Sequence, residues 1–235
     1  MADRPTKADP TQADRLHHFA HDLRNRLAAI QQVLQQFKAV GADDADELIT
    51  FGEQQYFKAM RSTEELLDDL GVERGITIVT RTPIDLGELT TKAIAGISHR
   101  LERKQQTVEA SVHPDVIVNG DVHWLNELVN ALLTNASKFS GTGTMIHVAL
   151  ERQGDMAVLS IRDHGAGLTP DDLQQVFVRY AWLESHSTNG ESQGRSTLGR
   201  ARQWATAHGG ELSAQSDGPG KGSTFTLRIP LASAQ

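Results

Sequence analysis

The sequence predicts an α+β chain in two parts: an N-terminal helical hairpin that dimerises into a four-helix bundle, followed by an α/β sandwich. Three observations predict it. Between residues 16 and 70, apolar side chains recur at alternating spacings of three and four, the period of packed helices. Gly71 and Gly75 then punctuate the chain. Beyond Pro83 the pattern mixes strand-like alternation with helical stretches, as expected for helices covering one face of a sheet.

The first helix carries Leu16, Ala20, Leu23, Leu27, Ile30, Leu34 and Phe37 on one seam. After a break at Gly41, Asp44 and Glu47 make a capping box for a second helix. Its seam is Ala45, Ile49, Gly52, Tyr56, Ala59, Thr63, Leu66 and Leu70. A hairpin with one apolar stripe per helix cannot cover itself, so a homodimer is expected. We place the domains at residues 1–75 and 76–235, with Gly71–Gly75 as the hinge.

In the second domain, a β-like stretch at Ile76–Thr80 precedes Pro83. A helix opens at Asp85, with Glu88 three residues on, and runs to about Lys104. Strands are expected at Thr107–Val112 and Val116–Val118, and a helix over His123–Phe139. Gly154–Asp155 turns a hairpin between Met145–Glu151 and Met156–Arg162. Thr169–Pro170 starts a short helix. Glu184–Ser196, rich in Ser, Asn, Gly and Gln, reads as a mobile loop. A last helix, Leu198–Ala207, ends at His208-Gly209-Gly210, and strands Glu211–Ser216 and Ser223–Ile229 follow.

Composition narrows the function. The 235 residues carry 23 Lys+Arg against 30 Asp+Glu, a net charge of −7, which disfavours nucleic acid or an anionic membrane as partner. No cysteine is present, which excludes disulfides, thiolate metal sites and cysteine nucleophiles. At 38% hydrophobic residues the chain can bury a core, yet no apolar run approaches the roughly 20 residues of a membrane span. A cytoplasmic protein is expected.

The seam register gives His21 a special place. It falls beside Ala20 and Leu23 and so faces solvent, with Asp22 next to it and Asn25 one turn on. A neutral imidazole offers a nucleophilic nitrogen, and an adjacent carboxylate can fix its tautomer and take its proton. A lone exposed histidine is ordinarily a solvated surface residue, and His17 and His18 are left with that reading. FAHDLRNRLAAI, residues Phe19–Ile30, resembles the phosphoacceptor box of bacterial sensor histidine kinases. The resemblance implies that His21 is autophosphorylated, that Asp22 is its general base, and that Asn25 orients water for dephosphorylating the partner. Arg26 replaces the usual proline, so the bend that proline gives the family helix is expected to be absent or shifted.

Six further stretches resemble the same family. ELVNALLTNASKFS places Asn135 and Lys138 on a helix and resembles the N box, which implies Asn135 as magnesium ligand and Lys138 near the phosphates. Ala131 stands where the family often has another Asn. DHGAGL, with Asp163, Gly165 and Gly167, resembles the first glycine box, which implies that Asp163 reads the adenine amino group. Phe177 in LQQVFVRY matches the phenylalanine box at the start of the ATP lid. At the far end of the lid, Arg195-Ser196-Thr197-Leu198-Gly199-Arg200 keeps only Leu198 and Gly199 of the glycine-rich pattern, while Arg195 and Arg200 add positive charge. ARQWATAHGGEL and GKGSTFTLRIP also look like the family, with Ser223 in place of the usual Thr near adenine.

The resemblance runs from about Leu16 to Pro230 in the family's order and implies a Bergerat-type (GHKL) ATP-binding fold, with ATP and Mg²⁺ bound. Two functions are carried forward. One is an ATP-dependent kinase that phosphorylates His21 and passes the phosphoryl group to an aspartate of a response regulator receiver domain. The other is a dimeric phosphotransferase or nucleotide-bound scaffold with a degenerate lid. The receiver is expected to dock on the bundle surface around His21, including Arg24, Asn25 and parts of the second helix, and input to come from a separate sensor protein, a short N-terminal stretch or a part of the protein outside this chain.

Overall fold

The computed structural model describes residues 10–37, 45–69, 79–179, 183 and 197–232. The chain divides into two compact units, one within residues 1–76 and the other within residues 77–179 and 183–235. The Asp44 cap, the Gly71–Gly75 hinge and the 184–196 loop lie outside the described residues.

The first unit holds α1 (Pro10–Phe37) and α2 (Ala45–Asp69). Asp22 meets Ser62, and Val33 meets Gly52, so the helices run antiparallel. A Cβ on Gly52 would stand 3.2 Å from Val33 Cγ1, so glycine sets the close approach there. Val33 and Ala59 are buried in this contact. The expected seams do not lie wholly inside it. Leu16, Leu27, Ile49 and Tyr56 remain exposed, Leu27 at 54% and Tyr56 at 51%. The contacts to α2 come instead from the row containing Asp22 and Val33, three turns apart on α1. Each helix therefore carries an inward row and a second, uncovered apolar row.

The second unit is a sheet with helices on one side. In order it contains β1 (Thr82–Asp85), α3 (Leu86–Gly96), α4 (Ser98–Arg103), β2 (Thr107–Val112), β3 (Ile117–Gly120) and α5 (Val122–Phe139). Then come β4 (Met145–Gln153), β5 (Met156–Arg162), α6 (Pro170–Gln175), α7 (Thr197–Ala207), β6 (Glu211–Gln215) and β7 (Thr224–Pro230). Five strands pair in the order β2-β4-β5-β7-β6. The β2–β4 pair is parallel and the others antiparallel. Alternation decides the faces. Ile146, Val148, Leu150, Leu159, Ile161, Phe225 and Leu227 are buried in one core with Leu86, Leu125, Leu128, Leu132 and Leu133 of the helices. The opposite face is a row of small residues in register, Ser111, Ala149, Ser160, Thr226 and Ser213.

Local chemistry explains most boundaries. The Asp85 carboxylate accepts from the N–H groups of Gly87 and Glu88 and starts α3. Thr169 and Asp172 form a capping box on α6, with Pro170 in its first turn. Gly154 takes φ +62° in the β4–β5 turn. Two expectations fail. The helix expected over residues 85–104 is two helices, because Ile97 (φ −98°, ψ 6°) leaves the helical path just after Gly96. The strand expected at 76–80 is absent at residues 79 and 80, and the strand begins at Thr82 instead. There the Thr80 N–H is taken by the Asp121 side chain, and β1 pairs only with β3, which leaves room for Pro83.

Candidate active site

α5, the segment after β5, α7 and β7 converge on one cleft. Asn135, Phe139, Gly167, Leu168, Val176, Leu183, Leu198, Ser223 and Phe225 line it. About 310 Å³ of space lies free between these residues, a volume that includes solvent at the open mouth. Its walls are mostly apolar, with the Asn135 amide and Ser223 hydroxyl as polar groups, which suits a flat heteroaromatic ring.

Asp163 lies beside Ser223 in the interior, only 1% exposed. Its Oδ1 accepts from Gly165 N (2.8 Å) and Ser223 N (3.3 Å), and its Oδ2 from the Ser223 hydroxyl (2.5 Å). Burial pushes the Asp163 carboxyl above its ordinary value, against the pull of the Ser223 hydroxyl and the two N–H donors. A shielded carboxylate of this kind discriminates strongly for a donor such as an exocyclic amine. The loop after it is built on close backbone approach. A Cβ on Gly165 would fall 2.2 Å from the Phe139 carbonyl oxygen, and one on Gly167 (φ +67°) 2.1 Å from that of Gly218. The Ala166 N–H bonds Phe139 O, which ties the loop to the end of α5.

Asn135 and Lys138 sit on the last turns of α5, both half-buried, and the Lys138 ammonium stands 5.7 Å from the Phe139 ring. Ala131 is buried in the core. Among the described residues no group of three His, Cys, Asp or Glu side chains could hold a metal ion. The Asn135 amide oxygen, a hard donor lining the cleft, fits an ion that takes most of its ligands from phosphates and water, as Mg²⁺ does.

The stretch from Phe177 to Arg179 is fastened to α7. Phe177 packs edge-on against Phe225, with the Arg202 guanidinium 5.3 Å from its ring. Arg179 donates to Gln203. A Cβ on Gly199 would stand 2.9 Å from the Phe177 carbonyl oxygen, so this retained glycine lets α7 begin close against Phe177. Thr197 opens α7 and Arg200 is exposed, while Arg195 lies outside the described residues.

On α1, His21 is exposed, and its Nδ1 lies 3.2 Å from the Asn25 amide nitrogen. Asp22 turns the other way. Its Oδ2 accepts from Arg26 Nε at 2.8 Å and from the Ser62 hydroxyl at 3.4 Å. The residue that replaces proline thus pairs with the carboxylate next to His21. Two clusters result, His21 with Asn25 on one unit, and Asn135, Gly167, Leu198 and Ser223 around the cleft on the other, with Asp163 bonded to Ser223. Sequence reasoning did not single out the apolar walls Leu168, Val176, Leu183 and Phe225. The inward alternation of β7 was a signal for Phe225; Val176 and Leu183 look like any core residue until the fold closes around the cleft.

Residues 120–233 match the family described as histidine kinase-, DNA gyrase B- and HSP90-like ATPase. The sensor-like histidine kinase SenX3 of Mycolicibacterium smegmatis is 25% identical over 230 residues, covering 95% of this chain and 59% of that protein. Sensor protein ChvG of Agrobacterium fabrum is 25% identical over 241 residues, covering 93% of this chain and 40% of that protein. The solved mycobacterial sensor histidine kinase MprB is 26% identical, with a TM-score of 0.57 over 64% of this chain and 98% of that one. Full-length ShkA, solved with AMPPNP, shares the fold at a TM-score of 0.59 and 20% identity over 95% of this chain and 46% of that one. The chain spans about half the length of the relatives it matches. No helix among the described residues is long and apolar enough to cross a membrane.

Proposed function

We propose that this chain, similar to sensor histidine kinases and matching their ATPase family model over residues 120–233, phosphorylates His21 with ATP and passes the phosphoryl group to an aspartate of a response regulator. The observation that carries the reading is the pairing in one chain of an exposed His21–Asn25 couple with a cleft whose polar floor is Ser223 over the buried Asp163. Asp163 and Ser223 hold the adenine amino group, and the apolar walls exclude water from the ring. Lys138 neutralises phosphate charge. Asn135 supplies one oxygen ligand to Mg²⁺, which when bound offsets charge on the phosphate oxygens.

His21 reacts through Nε2. With the Asn25 amide nitrogen toward the ring, Nδ1 accepts and the proton sits on Nε2. With the amide turned over, Nδ1–H donates to Asn25 Oδ1 and Nε2 presents its lone pair. The second arrangement can attack. Nε2 bonds to the γ-phosphorus, the bond to the β,γ-bridging oxygen breaks, and ADP leaves with the electron pair. The Nδ1 proton then passes to a base, a role open to Asp22 once it leaves Arg26. In the second transfer, the receiver carboxylate attacks the same phosphorus and Nε2 leaves. Asn25 could also orient a water to hydrolyse the regulator's acyl phosphate. Apolar residues left exposed on α1 and α2, Leu27 and Tyr56 among them, support a homodimer.

One observation favours a second reading. The Arg26–Asp22 pair occupies the candidate base, as a relay module lacking its own kinase step would tolerate. Incubation with Mg²⁺ and γ-labelled ATP decides between them. Acid-labile label lost in His21→Ala and in Asn135→Ala supports the kinase. Nucleotide binding without label supports the relay.

A further inference from the structure

The end of α5 is held from a direction the nucleotide reading does not use. A helix leaves its last four carbonyls without intrahelical partners. In α5 the carbonyl of Phe139 is met by Ala166 N–H of the glycine loop. The carbonyls of Ser137 and Lys138 are met by a cluster at the α4–β2 junction. Lys104 Nζ, on a side chain only 5% exposed, donates to the Ser137 carbonyl at 2.7 Å and the Lys138 carbonyl at 3.3 Å. Gln106 Nε2 donates to the carbonyls of Ser137, Ser140 and Gly141 at 3.1, 3.1 and 2.9 Å. Ser137 returns its hydroxyl proton to Gln106 Oε1 at 2.7 Å, and Arg100 Nε donates to the same hydroxyl at 3.2 Å.

Burying an ammonium is costly, and the partial negative charge at a helix C-terminus compensates it. The turn so fastened bears Lys138, and Asn135 lies three residues before it. The glycine loop grips the same turn through Phe139. Rotation or fraying of this turn would move both polar side chains while leaving Asp163 and Ser223, which adjoin the paired ends of β5 and β7, where they are.

We propose that Lys104, acting with Gln106, is a positioning residue for phosphate recognition: it locks the last turn of α5 so that Asn135 and Lys138 meet the nucleotide's phosphates. This rests on the reading that the cleft binds ATP. Loss of the lock weakens the phosphate end of binding and spares the adenine end.

The test compares dissociation constants for Mg-ATP and adenosine, by calorimetry, in the full chain and in Lys104→Met, Lys104→Arg and Lys138→Ala. Lys104→Met is expected to weaken Mg-ATP about tenfold and adenosine less than twofold, and Lys104→Arg to recover part of the loss. In a Lys138→Ala background, Lys104→Met should add clearly less than tenfold. Equal loss of both ligands, or unchanged Mg-ATP affinity in folded Lys104→Met, overturns the proposal. If Lys104→Met does not fold, Ser137→Ala decides, with a two- to threefold loss for Mg-ATP alone expected and no loss overturning it. A parent chain that binds neither ligand overturns the nucleotide reading itself, and this proposal with it.

Discussion

Replacing Asp163 with asparagine separates stability from function at one atom. The shape is kept: Oδ1 can still accept from Gly165 N and Ser223 N, and an amide at the Oδ2 position can donate to a reoriented Ser223 hydroxyl. What disappears is a buried charge. Because burial raises the folded carboxyl above its unfolded value of 3.8, folding favours the protonated acid. That stabilising contribution is fully present below the unfolded value and is lost as pH rises through the folded one. The asparagine protein has no such loss. Its melting temperature should therefore match or exceed that of the parent at pH 7, by a few degrees if about 1 kcal/mol is recovered, and the difference should shrink as pH falls toward 4. Nucleotide binding moves the other way. A charged acceptor is worth about 1.5–3 kcal/mol, and an NH₂ group facing adenine's own amine repels it, so ATP affinity should fall by at least about tenfold. Thermal melts from pH 4 to 8 beside ATP titrations measure both. Destabilisation by more than about 2 kcal/mol at pH 7 would show that Asp163 is not a buried charge in the folded protein, and unchanged ATP affinity that it is not an adenine ligand.

The other predictions concern both units. Arg26→Gln releases Asp22 from its ion pair; because both side chains are partly exposed, the cost to stability is under about 1 kcal/mol. Initial rates of His21 labelling should rise several-fold, and an unchanged or lower rate would argue that Arg26 does not restrain the base. Gly167→Ala meets both a positive φ and the Gly218 carbonyl, so it should cost about 2–4 kcal/mol by denaturant unfolding and lose ATP binding. Leu27→Glu places charge in the uncovered row of α1; light scattering should show a monomer that still binds ATP, and an unaltered dimer would place the interface elsewhere.

Much of this fold was legible because local signals agree. β5 was read end to end from the Gly154–Asp155 turn and the alternation of Met156–Arg162, and α6 from Thr169 and Pro170. The break at Ile97 was not, because Leu89, Ala93, Ile97 and Leu101 keep one buried stripe straight through it. Periodicity reports which side is buried, and that side does not change where the backbone does. Pairing of β1 with β3 and the parallel β2–β4 pair depend on contacts across tens of residues and leave no local mark. At the site, motif residues such as Asn135, Asp163 and Gly167 announced themselves by type and spacing. Lys104, Gln106 and the Arg26–Asp22 pair did not, since a lysine or arginine in sequence looks like solvated surface until its partners are known.

Phosphorylation of His21 by ATP can be measured directly. Peptide mapping by mass spectrometry at alkaline pH, where phosphohistidine survives, tests it after incubation with Mg-ATP. One phosphate, acid-labile, is expected on the peptide containing Phe19–Ile30, absent from His21→Ala and transferred when a cognate receiver domain is added. An acid-stable phosphate, a phosphate on another histidine, or none from a chain that binds ATP would contradict it.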